Sequence, residues 1–215
     1  MKKLLLSGLN AHTDRILHEV KRAGIYEVIG IVDSVKSPDS HANGLPVYSL
    51  AEAANVLGTK EISIFAAAGN AYLNQDRLAV YMACKQAGFA VVSIASLGAN
   101  IAVGIKLREN VFIDEHVRIL PNANIGANTW VMRNAEIGTG ARLGSSCWIS
   151  AGCSIGDGAT LGKNCTLAEG VIIKDGISLP AWTTINQPMV VEATPDRPLF
   201  IDPLFRSPVT LYESN

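Results

Sequence analysis

The chain has 215 residues, enough for one large domain or two small ones. Hydrophobic residues make up 48% and charged residues 17%, a globular balance that excludes an intrinsically disordered chain. Eighteen basic against nineteen acidic residues leave a formal charge of −1, so nothing supplies the basic footprint of a nucleic-acid binder.

The opening Met-Lys-Lys-Leu-Leu-Leu is too short for a secretory core: the apolar run ends at Leu6, and His12, Asp14 and Arg15 follow. No run approaches a membrane span. The expectation is a soluble, cytoplasmic protein with no membrane partner. Cys84, Cys147, Cys153 and Cys165 lack paired spacing and read as thiols rather than a disulfide framework.

Taken in chain order, residues 3–6 form an apolar strand that runs into Ser7-Gly8-Leu9-Asn10. A helix follows, with Ile16, Val20 and Leu17 facing inward, and stops at Gly24. Residues 28–32 are a β-branched run ending at Asp33. After a Ser- and Pro-containing loop, residues 45–48 are extended and Ser49 caps a short helix over 50–57. Residues 62–65 are a buried strand, 73–87 a helix stopped by Gly88, and 90–94 a last strand. Strand-helix alternation of this kind predicts a small Rossmann-like parallel sheet with right-handed crossovers.

From Ile101 the period changes. Every sixth residue through Ile185 is Leu, Ile or Val, without a break in register. Two positions earlier stands a small or β-branched residue: Ala123, Thr129, Ala135, Ala141, Cys147, Cys153, Ala159, Cys165. Three positions later Gly or Asn dominates, residues that tolerate a left-handed corner. A helix would need a period near 3.6, so this recurrence predicts a parallel β-helix of hexapeptide repeats. Each inward aliphatic contributes roughly 1.5–3 kcal/mol on burial. Both ends need covering. The α/β part is placed to cover one end. The tail, with five prolines and Phe200, Leu204 and Phe205, covers the other or packs on a neighbour.

The repeat resembles the left-handed β-helix of hexapeptide acyltransferases. Preceded by an α/β unit, the whole, over about residues 2–185, resembles the sugar O-/N-acyltransferases that modify sialic acid or nucleotide-linked amino sugars. Ile149-Ser150-Ala151-Gly152 is similar to that family's Ile-Ser-Pro-Gly, Ser7-Gly8-Leu9-Asn10 to its glycine-rich turn, and Ile31-Val32-Asp33-Ser34 to its acidic-ended strand. The resemblance implies an α/β domain over residues 1–96 that binds the acceptor. It implies a left-handed β-helix over 97–187 that binds acyl-CoA and trimerises, and a tail over 188–215. It implies a homotrimeric enzyme with acetyl-CoA or another acyl-CoA as co-substrate and a sugar or nucleotide sugar as acceptor.

The chain departs from that family where the chemistry lies. Thr139 and Gly140 stand in the slots of the catalytic His and its acidic neighbour, and Trp148 in the slot of a second His. Asn10, Ala11 and His12 replace the usual glycines and His of the turn, and Ala95-Ser96-Leu97-Gly98 replaces the His-Pro-Ser-Ala that opens the β-helix. Thr139 is not basic near neutral pH. Either another residue is the base, or the amine needs little help, or the chain is a ligand-binding or trimeric scaffold without catalysis.

Phe112, Trp130 and Trp148 are eighteen residues apart, one coil of three hexads, and one position before an inward aliphatic. They predict an aromatic ladder on an outer face, read as a subunit interface or as a ligand wall. Trp148 and Gly152 are the acyl-CoA candidates. His116 falls in a corner slot and is a candidate base or a plain corner residue. Glu115 with Arg133, and Arg118 with Glu136, predict stacked surface pairs; Glu136 is also a candidate base. Cys147, Cys153 and Cys165 fall in the small inward slot and read as core. With one His in the β-helix, no zinc site is expected. Gly8, Asn10 and Asp33 are the acceptor candidates: a phosphate would sit at the helix start, where Asn10 or Thr13 caps, and Asp33 would contact a ribose hydroxyl or merely cap a turn.

Overall fold

The computed structural model describes residues 1–33, 41–205 and 207–210. Ser34, the loop to residue 40 and the end of the tail lie outside the described residues. The first part is a parallel sheet of β1 (Lys2–Ser7), β2 (Tyr26–Val32), β4 (Leu45–Tyr48), β5 (Ile62–Ala66) and β6 (Ala90–Val91), with β3 (His41–Ala42) antiparallel on the edge. Their order is β3-β4-β2-β1-β5-β6. Helix α1 (Ala11–Ala23) is capped at its start by Asn10, whose side chain accepts from the backbone of His12 and Thr13, and at its end by Gly24 at φ 64°. Ser49 and Glu52 form a reciprocal capping box on α2 (Leu50–Glu52), which widens into a π-helical turn over Ala53–Leu57. Helix α3 (Gln75–Gln86) starts two residues later than the apolar pattern predicts, because Tyr72, Leu73 and Asn74 are all left-handed, at φ 47°, 54° and 68°.

The second part is a left-handed parallel β-helix with three flat faces. Partners eighteen residues apart pair in parallel on every face, for example Val131 with Ile113 and Ile149. The inward aliphatics from Ile113 to Ile185 are buried in one column with Cys147, Cys153 and Cys165. Every sixth residue from Gly104 to Trp182 is a corner with positive φ, including Ser146 at 60° and Trp182 at 69°, which lack the Gly or Asn signature and were not predicted.

The predicted strand over 90–94 is divided. Ala90–Val91 belongs to the α/β sheet, whereas Ile94–Ala95 pairs with Phe112–Ile113 as the first rung of the β-helix. Ala95 lies six residues before Ile101, so the register begins earlier than its Leu, Ile or Val slots show. At the other end the tail continues the prism: Val190–Val191 pairs with Ile172–Ile173, and Leu199–Ile201 with Thr184–Ile185.

The α/β part does not cap an end, as the sequence suggested. It lies along one face, because β1 and α1 present Leu4, Leu6, Ile16, Leu17 and Val20 to Phe112, Trp130 and Trp148. Those helix positions form one apolar stripe, and a stripe that wide is buried against a flat face rather than a narrow end.

Candidate active site at the seam

The aromatic ladder forms as the eighteen-residue spacing predicts, and its cover is a correction. Trp130 stacks on Trp148 with ring centres 5.4 Å apart and the planes 23° apart, and Phe112 lies 5.3 Å from Trp130. Phe65, at the end of β5, stacks on Trp130 at 5.6 Å. Phe112 and Trp130 are wholly buried and Trp148 is 6% exposed. The face is therefore covered by the same chain's α/β part, and neither a second subunit nor an open ligand wall takes that place. Trp148 Nε1 donates to Ser150 Oγ at 3.1 Å.

Arg77, on α3, is fully buried in this seam. Its Nε donates to Asn128 O at 3.1 Å, its Nη2 to Ser146 O at 2.9 Å and Cys147 O at 3.2 Å, and its Nη1 to Gly69 O at 3.3 Å. The guanidinium carbon stands 5.3 Å from the Trp148 ring centre and 5.7 Å from that of Trp130. Burial pushes its pKa down to about 9, which leaves it cationic at neutral pH. Nothing in the sequence reading singled it out. The available signal is that Arg77 shares the buried stripe of α3 with Tyr81 and Cys84.

A ladder of amides runs down the corner beside it. Asn110 accepts from Ala66 N at 2.8 Å, and its Nδ2 donates to Asn128 Oδ1 at 2.8 Å; Asn128 Nδ2 donates in turn to Ser146 Oγ at 3.0 Å. At the other corner the buried Asp114 pairs with Arg15 and accepts from Glu115 N and Arg133 N, both at 2.8 Å. Glu115 pairs with Arg22 of α1, so the expected Glu115–Arg133 pair is not formed: α1 reaches the acid first. Arg118 and Glu136 do pair, at 2.6 Å, exposed and worth at most about 1 kcal/mol.

The turn after β1 consumes its own polar groups. Asn10 Nδ2 donates to Ala67 O at 2.8 Å, Asn10 Oδ1 takes His12 N at 2.9 Å, and Asp33 Oδ2 takes Leu9 N at 2.8 Å. Asn10 thus ties the ends of β1 and β5 together. Gly8, at φ 101°, and Asp33 border a cavity of about 200 Å³ with Ser7, Val32, Leu50 and Val80 at the carboxyl ends of β1 and β2.

His12, on the first turn of α1, is half-buried between the two parts. Its ring meets Trp130 and Trp148 edge-on, with centres 5.7 and 5.3 Å away. Burial, then the charges of Arg15 and Arg77, hold its pKa below the ordinary value.

The remaining candidates are dispersed. Thr139 is exposed at a corner on another part of the prism, its N–H donating to Asp157 Oδ1 at 2.6 Å, while Asp157 N donates to Asp175 Oδ1 at 2.9 Å. His116 takes the corner role, exposed at φ 57°. Gly152 is an exposed corner at φ 67°, and Glu136 is engaged by Arg118. Burial pushes the thiols of Cys84 and Cys153 up to about 11, as for core groups. Among the described residues no cluster of three His, Cys, Asp or Glu side chains is placed to hold a metal ion.

The fold, a Rossmann-like sheet laid along a left-handed β-helix, is shared with solved acetyltransferase structures. The family described as bacterial transferase hexapeptide (six repeats) matches residues 140–175. A mutant perosamine N-acetyltransferase from Caulobacter crescentus, solved with CoA and GDP-perosamine, superposes with a TM-score of 0.69 at 23% identity, covering 89% of each chain. The acetyltransferase domain of PglB from Neisseria gonorrhoeae FA1090 gives 0.57 at 19% identity over 98% of this chain and 100% of that one. WeeI from Acinetobacter baumannii AYE gives 0.59 at 13% over 97% and 99%. No curated protein sequence matches the chain.

Proposed function

We propose that this protein is an acyl-CoA-dependent acyltransferase, with acetyl-CoA as the donor, acting on an amino sugar carried by a nucleotide. The observation that carries this reading is the correspondence over 89% of both chains with an enzyme solved with CoA and GDP-perosamine. The acceptor is held at the carboxyl ends of β1 and β2, where Gly8 and Asp33 border the cavity. The donor lies on the β-helix against the corner of Gly152, in a cleft completed by a neighbouring copy of a homotrimer. Trp148 acts from inside the seam, supporting the groups that meet the ligand rather than touching the donor with an open face. The amine attacks the thioester carbonyl directly, giving an amide and free CoA.

A second reading, a ligand-binding scaffold without catalysis, is favoured by Thr139 and Trp148, neither of which is a base. One pair of measurements separates the two. Saturating acetyl-CoA raises the melting temperature if the donor site is intact, and mass spectrometry finds an acetylated product when GDP-perosamine is added. A thermal shift without product sinks the enzyme reading, and so does the absence of a shift with any acyl-CoA, which leaves the scaffold reading standing.

A further inference from the structure

Building on the acyltransferase reading, we propose that His12 is the general base that takes the proton from the attacking amine. The sheet order places β2, reached by the chain's first crossover, on one side of β1 and β5 on the other. The loops after β1 and β5 therefore part at the carboxyl ends of those strands, the crevice in which open α/β sheets hold their ligands. His12 stands at that end of the sheet, on the first turn of the helix that follows β1. Its ring lies against Gly69 of the β5 loop, where a Cβ would come 3.1 Å from Nε2.

Three further features prepare the imidazole. First, its ring nitrogens make no hydrogen bond to any described residue, so its lone pair is available. Second, Arg15 and Arg77 are the charged groups that face it, one from α1 and one from α3; with burial they keep it neutral near pH 7. Arg15 is itself paired with Asp114, and the hydrogen bonds of Arg77 are all to backbone carbonyls, so neither cation is drawn to the imidazole. Third, the edge contacts with Trp130 and Trp148 fix the ring's plane. The β5 loop is equally held: Gly69 O is bound by Arg77, and the left-handed run 72–74 is pinned to the β-helix by Asn74 Nδ2 donating to Thr166 Oγ1 at 2.8 Å. Strain of that kind persists where the surroundings over-determine it, commonly at ligand sites. The other described histidine side chains lack this setting, since His18 and His116 are exposed.

In the step, the amine nitrogen bonds to the thioester carbonyl carbon and gives its proton to an imidazole nitrogen. The carbon–sulfur bond then breaks, and the CoA thiolate leaves and takes that proton back. The products are the amide, free thiol and neutral His12. Help of this kind is worth roughly 10²–10⁴-fold.

The test uses the full chain with acetyl-CoA and GDP-perosamine. His12→Gln should lose about 100-fold or more in kcat, keep its thermal shift with acetyl-CoA, and lose the acid limb of the pH profile. His12→Ala should regain turnover with added imidazole, which separates a lost base from a damaged fold. His116→Ala is the control expected to leave turnover unchanged. Undiminished turnover in His12→Gln overturns the assignment alone. No turnover by the wild-type protein with any acyl donor overturns the acyltransferase reading and the assignment with it.

Discussion

The guanidinium of Arg77 reaches out of α3 to the backbone carbonyl of Ser146, 2.9 Å away in the β-helix, and joins the two parts of the molecule without a carboxylate partner. Its other acceptors are the carbonyls of Gly69, Asn128 and Cys147. Arg77→Met strands these acceptors in a dry seam, at about 1–3 kcal/mol for each that stays unsatisfied. The expected loss in urea denaturation is on the order of 3 kcal/mol. Arg77→Lys should recover little, because an ammonium cannot fork to carbonyls on both coils. A Lys variant as stable as the wild type would show the fork to be dispensable.

Gly144 is limited by space alone. A Cβ there would stand 2.6 Å from the backbone carbon of Gly162 in the next coil. Gly140, by contrast, has φ 68° and open space around the same atom, and neighbouring corners use Asn. Gly144→Ala should cost about 1–3 kcal/mol through overpacking, while Gly140→Asn should change the melting temperature little. Equal melting temperatures for the two variants would refute this division between steric and conformational glycines.

Asn110 combines a left-handed backbone with an amide that clamps Ala66 and Asn128. Asn110→Gly keeps the corner and removes only the amide. The expected cost is about 2 kcal/mol, from the unpaired groups at Ala66 and Asn128. Hydrogen exchange at Ala66 N–H should quicken in the variant, and unchanged protection there would speak against the clamp.

His12 gives the fold a pH dependence of known sign. Its folded pKa lies below the ordinary 6.5, with burial as the first cause and Arg15 and Arg77 following. As pH falls below 6.5 the unfolded chain takes the proton first, so stability declines until the folded-state pKa is reached and then levels. Urea midpoints compared between pH 7.5 and pH 5 should fall more for the wild type than for His12→Gln. The same loss in both proteins would place the acid sensitivity elsewhere.

The prism was legible because its signal is periodic and local: each corner and each inward aliphatic is a residue type the geometry demands. Ser146 and Trp182 escaped because neither prefers positive φ; their neighbours in the stack impose it. Ile94–Ala95 escaped because the small Ala95 fills its inward slot without an aliphatic. The seam was much less legible. Arg77 bonds to carbonyls, which every residue carries, so its partners leave no mark in the sequence. The ladder's spacing announced an aromatic face, but no pattern in β1 or α1 says which surface their apolar side will meet. His12 was visible only as a residue after a turn, and its setting depends on Gly69 and Trp148, far away in the chain.

The last described strand, Val209–Thr210, runs antiparallel to Leu199–Phe200, against the direction of every rung beneath it. A stack of parallel coils offers its terminal edge as a template, and a second molecule's first coil would fit there in register. On that face the terminal edge is formed by a reversed strand rather than by another rung, so an incoming coil would meet it antiparallel and could not simply continue the repeat.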